Sequence, residues 1–141
     1  MVKAYAALSA KEALKPFKYE AEALKENEVR IKVQSCGICH SDISAIDNSW
    51  GKSNYPLVAG HEVIGEIIEL GSETTQHKHG DTVGLGWHSG YCNNCSHCKV
   101  GDHNFCSKTK KTVFSQYGGF AEEVVAEETS VIPIPKKLNH K

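Results

Sequence analysis

The stretch Val29-Arg30-Ile31-Lys32-Val33-Gln34-Ser35-Cys36-Gly37-Ile38-Cys39-His40-Ser41-Asp42 decides the fold. Its first five residues alternate apolar and charged, the two-residue period of a strand with Val29, Ile31 and Val33 on one face. It then runs into two thiols, an imidazole, a hydroxyl and a carboxylate. The same strand chemistry recurs outward from it. Residues 62–70 read as a strand interrupted by Gly65, where a bulge or a close backbone approach is expected. Residues 81–87 put Val83, Leu85 and Trp87 on one face, with Gly84 and Gly86 on the other. Gly118-Gly119 opens another strand over 120–126. Several short strands separated by turn residues predict a barrel or sandwich. Helix is scarce. Ser41 is expected to cap a short helix over 42–47, and residues 10–14 offer a turn of helix that Pro16 would stop. Gly84-Leu85-Gly86 lacks the third glycine and the following helix of a dinucleotide fingerprint, so these residues carry no such site of their own.

A length of 141 residues is that of about one domain and is enough to bury a core. With Lys+Arg 16 against Asp+Glu 17, the net charge of −1 gives no cation excess for a phosphate backbone, which disfavours nucleic acid as a partner. No apolar run approaches the roughly 20 residues of a membrane span. The start, Met1-Val2-Lys3-Ala4-Tyr5, is unlike a secretory signal. A cytoplasmic, reducing setting is therefore expected, in which the six cysteines serve metal binding or catalysis rather than disulfides.

Cys92, Cys95, Cys98 and Cys106 follow the spacing C-x2-C-x2-C-x7-C. Four soft thiolates make the closed tetrahedral set that zinc takes in structural sites. Gly101 eases the chain reversal between the third and fourth. The competing readings are an iron–sulfur centre, free thiols or disulfides. His97 and His103 are spare, because four thiolates already fill the coordination. A second constellation joins Cys36-Gly37-Ile38-Cys39-His40-Ser41-Asp42 to Gly60-His61-Glu62. A thiolate and an imidazole brought together by a barrel would leave zinc with open positions, the arrangement of a catalytic site. A carboxylate such as Asp42 can hold the imidazole by its other nitrogen. Taken alone, the histidine also reads as an ordinary core or surface residue. Cys36-x-x-Cys39 also reads as a redox pair, although the βαβ setting of such pairs is not found.

Together these motifs resemble the zinc-dependent alcohol dehydrogenases of the medium-chain dehydrogenase/reductase family, closest to the cinnamyl-alcohol-dehydrogenase branch. The resemblance runs over nearly the whole chain. It covers Cys36 through Asp42, Pro56 to Gly60 leading into His61-Glu62 and Gly65, Gly80-Asp81 with Val83-Gly84, the cysteine lobe, and Gly118-Gly119-Phe120-Ala121-Glu122. It implies a mainly β fold: a GroES-like, partly open β-barrel with a few short helices and a zinc lobe at 91–107, filling residues 1–141. Cys39 would be the catalytic zinc thiolate, His61 the second ligand, and Glu62 a carboxylate exchanging with water. Ser41 would hydrogen-bond the substrate alcohol and start a proton relay, and Asp42 would stand behind the ligands. His40 would lie near the cofactor pyrophosphate. Cys36 matches a position that is not a ligand. Cys92, Cys95, Cys98 and Cys106 would hold the structural zinc. Trp50 and His88 fall near the substrate pocket, where core packing is an equal reading. The implied reaction is NAD(P)-linked interconversion of small alcohols and aldehydes or ketones, with zinc as Lewis acid.

The sequence also departs from the family. Ser44 stands where the relay usually continues through a histidine, which leaves Ser44, water, or the cofactor ribose with His40 as the exit. Thr74 and His79 replace apolar residues. The family's third zinc ligand, usually a cysteine, lies beyond the lobe, and no cysteine follows Cys106. The Rossmann domain and the segment that returns to complete the catalytic domain are likewise not matched. The 141 residues are thus expected to be the N-terminal catalytic domain and to be inactive alone. The alternative is a non-enzymatic zinc-binding module of the same fold. A zinc-ribbon nucleic-acid binder and a GroES-type cochaperonin are weaker readings. A barrel face that a second domain would cover is available for self-association as a homodimer.

Overall fold

The computed structural model describes residues 1–138; the last three residues of the expected 1–141 domain lie outside the described residues. The elements are β1 (Val2–Ala6), β2 (Lys15–Tyr19), β3 (Glu28–Cys36), α1 (His40–Ile46), β4 (Val63–Leu70), β5 (Thr82–Leu85), β6 (His88–Gly90), α2 (Ser96–Lys99), β7 (Lys110–Lys111), β8 (Glu123–Glu127) and β9 (Val131–Pro133). Five strands form one antiparallel sheet in the order β8-β3-β4-β5-β9, while β1-β2 and β6-β7 are two-stranded ribbons. The mainly β, partly open barrel expected from the motifs is what the chain forms.

The sheet curls because its central pair carries extra residues. Arg30 pairs with Glu69 but Ile31 with Ile67, so Ile68 is extra on β4. Val33 pairs with Gly65 but Ser35 with Ile64, so Gln34 is extra on β3. Each bulge bends its strand and adds right-handed twist. Gly65 supplies the close approach: a Cβ there would stand 2.3 Å from the Lys32 carbonyl oxygen. The expected alternation places Val29 and Ile31 in the core with Val63, Ile67, Val83, Leu85 and Val124. Arg30, on the other face, is not solvated as alternation predicts. Its Nε donates to Glu69 at 2.7 Å and its terminal nitrogen to the Glu22 carbonyl at 2.6 Å, which provides partners for the guanidinium of a residue only 7% exposed.

Three expectations need correction. The first helix starts at His40 with Cys39 as its cap, not at Ser41. The Asp42 carboxylate reaches back to accept the Cys39 N–H at 2.9 Å, and this outweighs the Ser41 capping preference. Residues 10–14 form no helix. Lys11 adopts φ 64°, and Pro16 lies inside β2, an edge ribbon that tolerates its missing N–H. Trp87 lies beyond the end of β5 rather than on its buried face.

Gly118 and Gly119 press the start of the β8 segment against the chain that precedes His61. Their N–H groups donate to the Val58 and Gly60 carbonyls, both at 2.8 Å. A Cβ on Gly118 would meet the Ala59 carbonyl at 2.6 Å, so only glycine permits this contact. The ribbon side is closed by Phe17, Tyr19 and Tyr117, the last two with ring centroids 4.5 Å apart.

Burial, and then the charge of Glu123, push the Tyr19 phenol up to about 12. The folded chain therefore holds this proton longer than an unfolded tyrosine of pKa about 10 does. Its contribution to stability is whole below pH 10 and is lost as pH rises towards 12. Chemical unfolding followed from pH 9 upward should show wild type losing stability more steeply than Tyr19→Phe; parallel curves would contradict the assignment.

Candidate metal centres

Cys39, His61 and Glu62 come from separate parts of the chain, and their ligand atoms lie within 4.8 Å of one another. Cys39 caps α1, and His61 and Glu62 lead into β4. Asp42 joins the two parts. One carboxylate oxygen accepts the Gly60 N–H at 2.8 Å and contacts His61 Nδ1 at 3.0 Å, and the other accepts the Cys39 N–H at 2.9 Å. Asp42 is 1% exposed and His61 7%. A carboxylate only accepts, so the proton of the neutral imidazole belongs on Nδ1 and the Nε2 lone pair is left for a ligand. Glu62 is exposed, lies over Gly37, and accepts the Gly37 N–H on its carbonyl at 2.9 Å. Thiolate, imidazole and carboxylate are the ligand types zinc binds in catalytic sites.

The neighbouring expected residues sort by position. Ser41 is half-buried in the first turn of α1, with Ser44 three residues on along the same face, and His40 is exposed at the helix start. Cys36 stands outside the ligand group, with its sulfur against Gly60 and Gly119. Burial raises its pKa, opposite to what an attacking redox thiol needs. Trp50 joins an aromatic wall that reaches the site. Trp87 meets the His61 ring edge-on at 4.7 Å, and Trp50 and Phe114 stand 6.2 and 6.0 Å from Trp87. Sequence reasoning assigned Trp87 to a strand face and did not find Phe114. Nothing local marks either, because the trio assembles from three distant segments. His88 points elsewhere, meeting Tyr91 edge-on at 5.6 Å beside the lobe.

In the lobe, the sulfurs of Cys92, Cys95, Cys98 and Cys106 also lie within 4.8 Å of one another. Cys92 is 3.5 Å from Cys106 and 3.9 Å from Cys98. Zinc–sulfur bonds of about 2.3 Å place ligand sulfurs about 3.8 Å apart in a tetrahedron, so the set fits zinc. All six cysteines are unbridged. Asn93 at φ 54° and Gly101 at φ 89° supply the left-handed turns that fold the four thiols together. The Asn94 and Cys95 N–H groups lower the Cys92 pKa to about 6, whereas burial pushes Cys98 up to about 12. Among the described residues, these two groups are the clusters able to hold a metal, and no helix is long and apolar enough to cross a membrane.

Comparison with known proteins gives the family. Residues 25–136 match the family model described as the alcohol dehydrogenase GroES-like domain. An aldehyde reductase of Synechocystis is 52% identical over 139 residues, covering 99% of this chain and 41% of its own. Cinnamyl alcohol dehydrogenase 7 of Arabidopsis thaliana is 39% identical over 132 residues, covering 89% and 37%. Among solved structures, a cinnamyl alcohol dehydrogenase from Sorghum bicolor superposes with a TM-score of 0.90 at 35% identity. It covers 98% of this chain and 42% of its own. The Helicobacter pylori enzyme complexed with NADP(H) gives 0.91 at 32%, with the same coverage. The chain spans about two fifths of the length of the curated relatives it matches.

Proposed function

The chain belongs to the alcohol dehydrogenase GroES-like domain family, and from that premise we propose that it is the metal- and substrate-binding part of a zinc-dependent, NAD(P)-linked oxidoreductase that interconverts alcohols and aldehydes. The convergence of Cys39, His61 and Glu62 on one point, with Asp42 behind them, supports this reading most. A zinc-binding module without chemistry would need only the four-cysteine lobe.

Zinc held by Cys39, His61 and Glu62 would supply a Lewis acid beside the substrate oxygen. The chain's own residues do the rest. Asp42 fixes the imidazole tautomer and ties helix to strand. The Ser41 hydroxyl, in the first turn of α1 two residues from Cys39, takes the alcohol proton and passes it towards Ser44 or solvent. His40, exposed at the helix start, would be free to contact the phosphates of the dinucleotide. Trp87, Trp50 and Phe114 offer the substrate an aromatic, apolar wall on one side of the site. The Gly84-Leu85-Gly86 stretch lacks the turn and helix that would cradle a dinucleotide, so among the described residues His40 alone is proposed to meet the hydride carrier. The purified 141-residue chain should therefore reduce no aldehyde with NAD(P)H.

Metal content tests the reading. Elemental analysis of the zinc-loaded chain should give about two zinc per chain, falling to about one in Cys39→Ser. About one zinc in both proteins would leave the lobe intact and show that Cys39, His61 and Glu62 do not hold the metal by themselves.

A further inference from the structure

We propose that Glu127 is the positioning residue of the four-cysteine site: its buried carboxylate clamps the neck of the lobe and so holds Cys92 and Cys106 at the separation one metal ion requires. The inference rests on reading those cysteines as a zinc site. Glu127 ends β8, a strand of the half-barrel, yet its side chain serves the lobe. One oxygen accepts the Tyr91 N–H at 3.1 Å, next to Cys92 in the chain. The other meets the Lys110 ammonium at 2.6 Å, four residues past Cys106. The side chain is 6% exposed, against 42% for Lys110. Gly90 makes the room, since a Cβ there would fall 2.7 Å from the Glu127 carboxyl carbon.

Each half of this arrangement needs the other. The neck is a ribbon of three residues against two, Gly90 opposite Lys110, and so short a pair does not hold itself closed in water. A buried carboxylate is costly unless its oxygens are paired, and both of its partners lie in the neck. Opening the neck would strand the charge, so the charge keeps the neck closed. With the neck closed, the first and last cysteines lie 3.5 Å apart, within the span of two ligands on one ion. Partners bonded directly to metal ligands change affinity about 10- to 100-fold when removed, and a clamp one residue further out is expected at the lower end of that range.

The test uses the Cys39→Ser chain, in which zinc has only the lobe to bind, and follows zinc release to excess chelator. Glu127→Ala should release zinc about tenfold faster, Glu127→Gln by an intermediate factor, because an amide oxygen still accepts from Tyr91, and Lys110→Met also faster. Val124→Ala, on the same strand but facing the core, is the control, compared where it lowers the melting temperature equally. Faster release confined to the Glu127 and Lys110 variants supports the clamp. Release at the parental rate, or equal to that of the control, overturns it. If Glu127→Ala fails to fold, Lys110→Met and Glu127→Gln carry the same decision. Should the parent chain hold no zinc, the site and the clamp fall together; zinc with unchanged release sinks the clamp alone.

Discussion

Stripping zinc from the loaded chain with a strong chelator is expected to unfold the lobe at 91–107 while the five-stranded sheet stays in place. The lobe has almost nothing else to hold it. Its buried hydrophobic residues are Cys98 and Cys106, themselves ligands, while Val100 and Phe105 are 73% and 64% exposed. None of the three apolar clusters includes a residue of the lobe. Zinc in such small thiolate sites contributes about 10 kcal/mol to folding, far more than a four-residue helix supplies. The measurement is amide hydrogen exchange with and without chelator. Protection should vanish at the Lys99, Val100, Gly101, Phe105 and Cys106 amides, which hydrogen-bond within the lobe, and persist along β3 and β4. Unchanged protection in the lobe would show that packing, not metal, holds it. Loss of protection in the sheet as well would show that lobe and barrel fold as one unit.

Asp42→Ala should be the most damaging single change near the second centre. Its carboxylate accepts from two backbone N–H groups and holds His61 Nδ1, and it is all but inaccessible to water. Truncation leaves three donors facing a small cavity. Breaking a buried hydrogen-bonded charge in this way costs about 3–5 kcal/mol. Metal affinity at Cys39, His61 and Glu62 should also fall, by about 10- to 100-fold, since the imidazole loses its orienting partner. Asp42→Asn keeps the volume and one acceptor and should fall between. Urea unfolding and cobalt titration of the second site read the two effects separately. Stability and affinity equal to wild type in Asp42→Asn would mean that the charge does nothing there.

Legibility followed chain distance. The alternation at 29–33, the four-cysteine spacing and the turn glycines are local, and each kept its expected place. The start of the helix was misread by two residues because Ser41 is a better cap than Cys39 when only intrinsic preference is weighed. What decided it was Asp42, whose carboxylate serves the Cys39 N–H and the Gly60–His61 segment at once. Arg30 misled for a similar reason. Alternation predicts solvent, but Glu69 and the Glu22 carbonyl arrive from other segments to pair it.

The sequence by itself determined the mainly β fold, the family and the two groups of residues that the structure brings together, because strand period, thiol spacing and short motifs are properties of neighbouring residues. Only the tertiary structure decided the rest of the support: the bonds from Asp42 to the Cys39 and Gly60 N–H groups, the Trp87 ring against His61, and Glu127 across the neck of the lobe. These are contacts between buried groups from distant segments, fixed by the need to pair every buried charge and polar atom when the chain closes. No local pattern encodes that requirement.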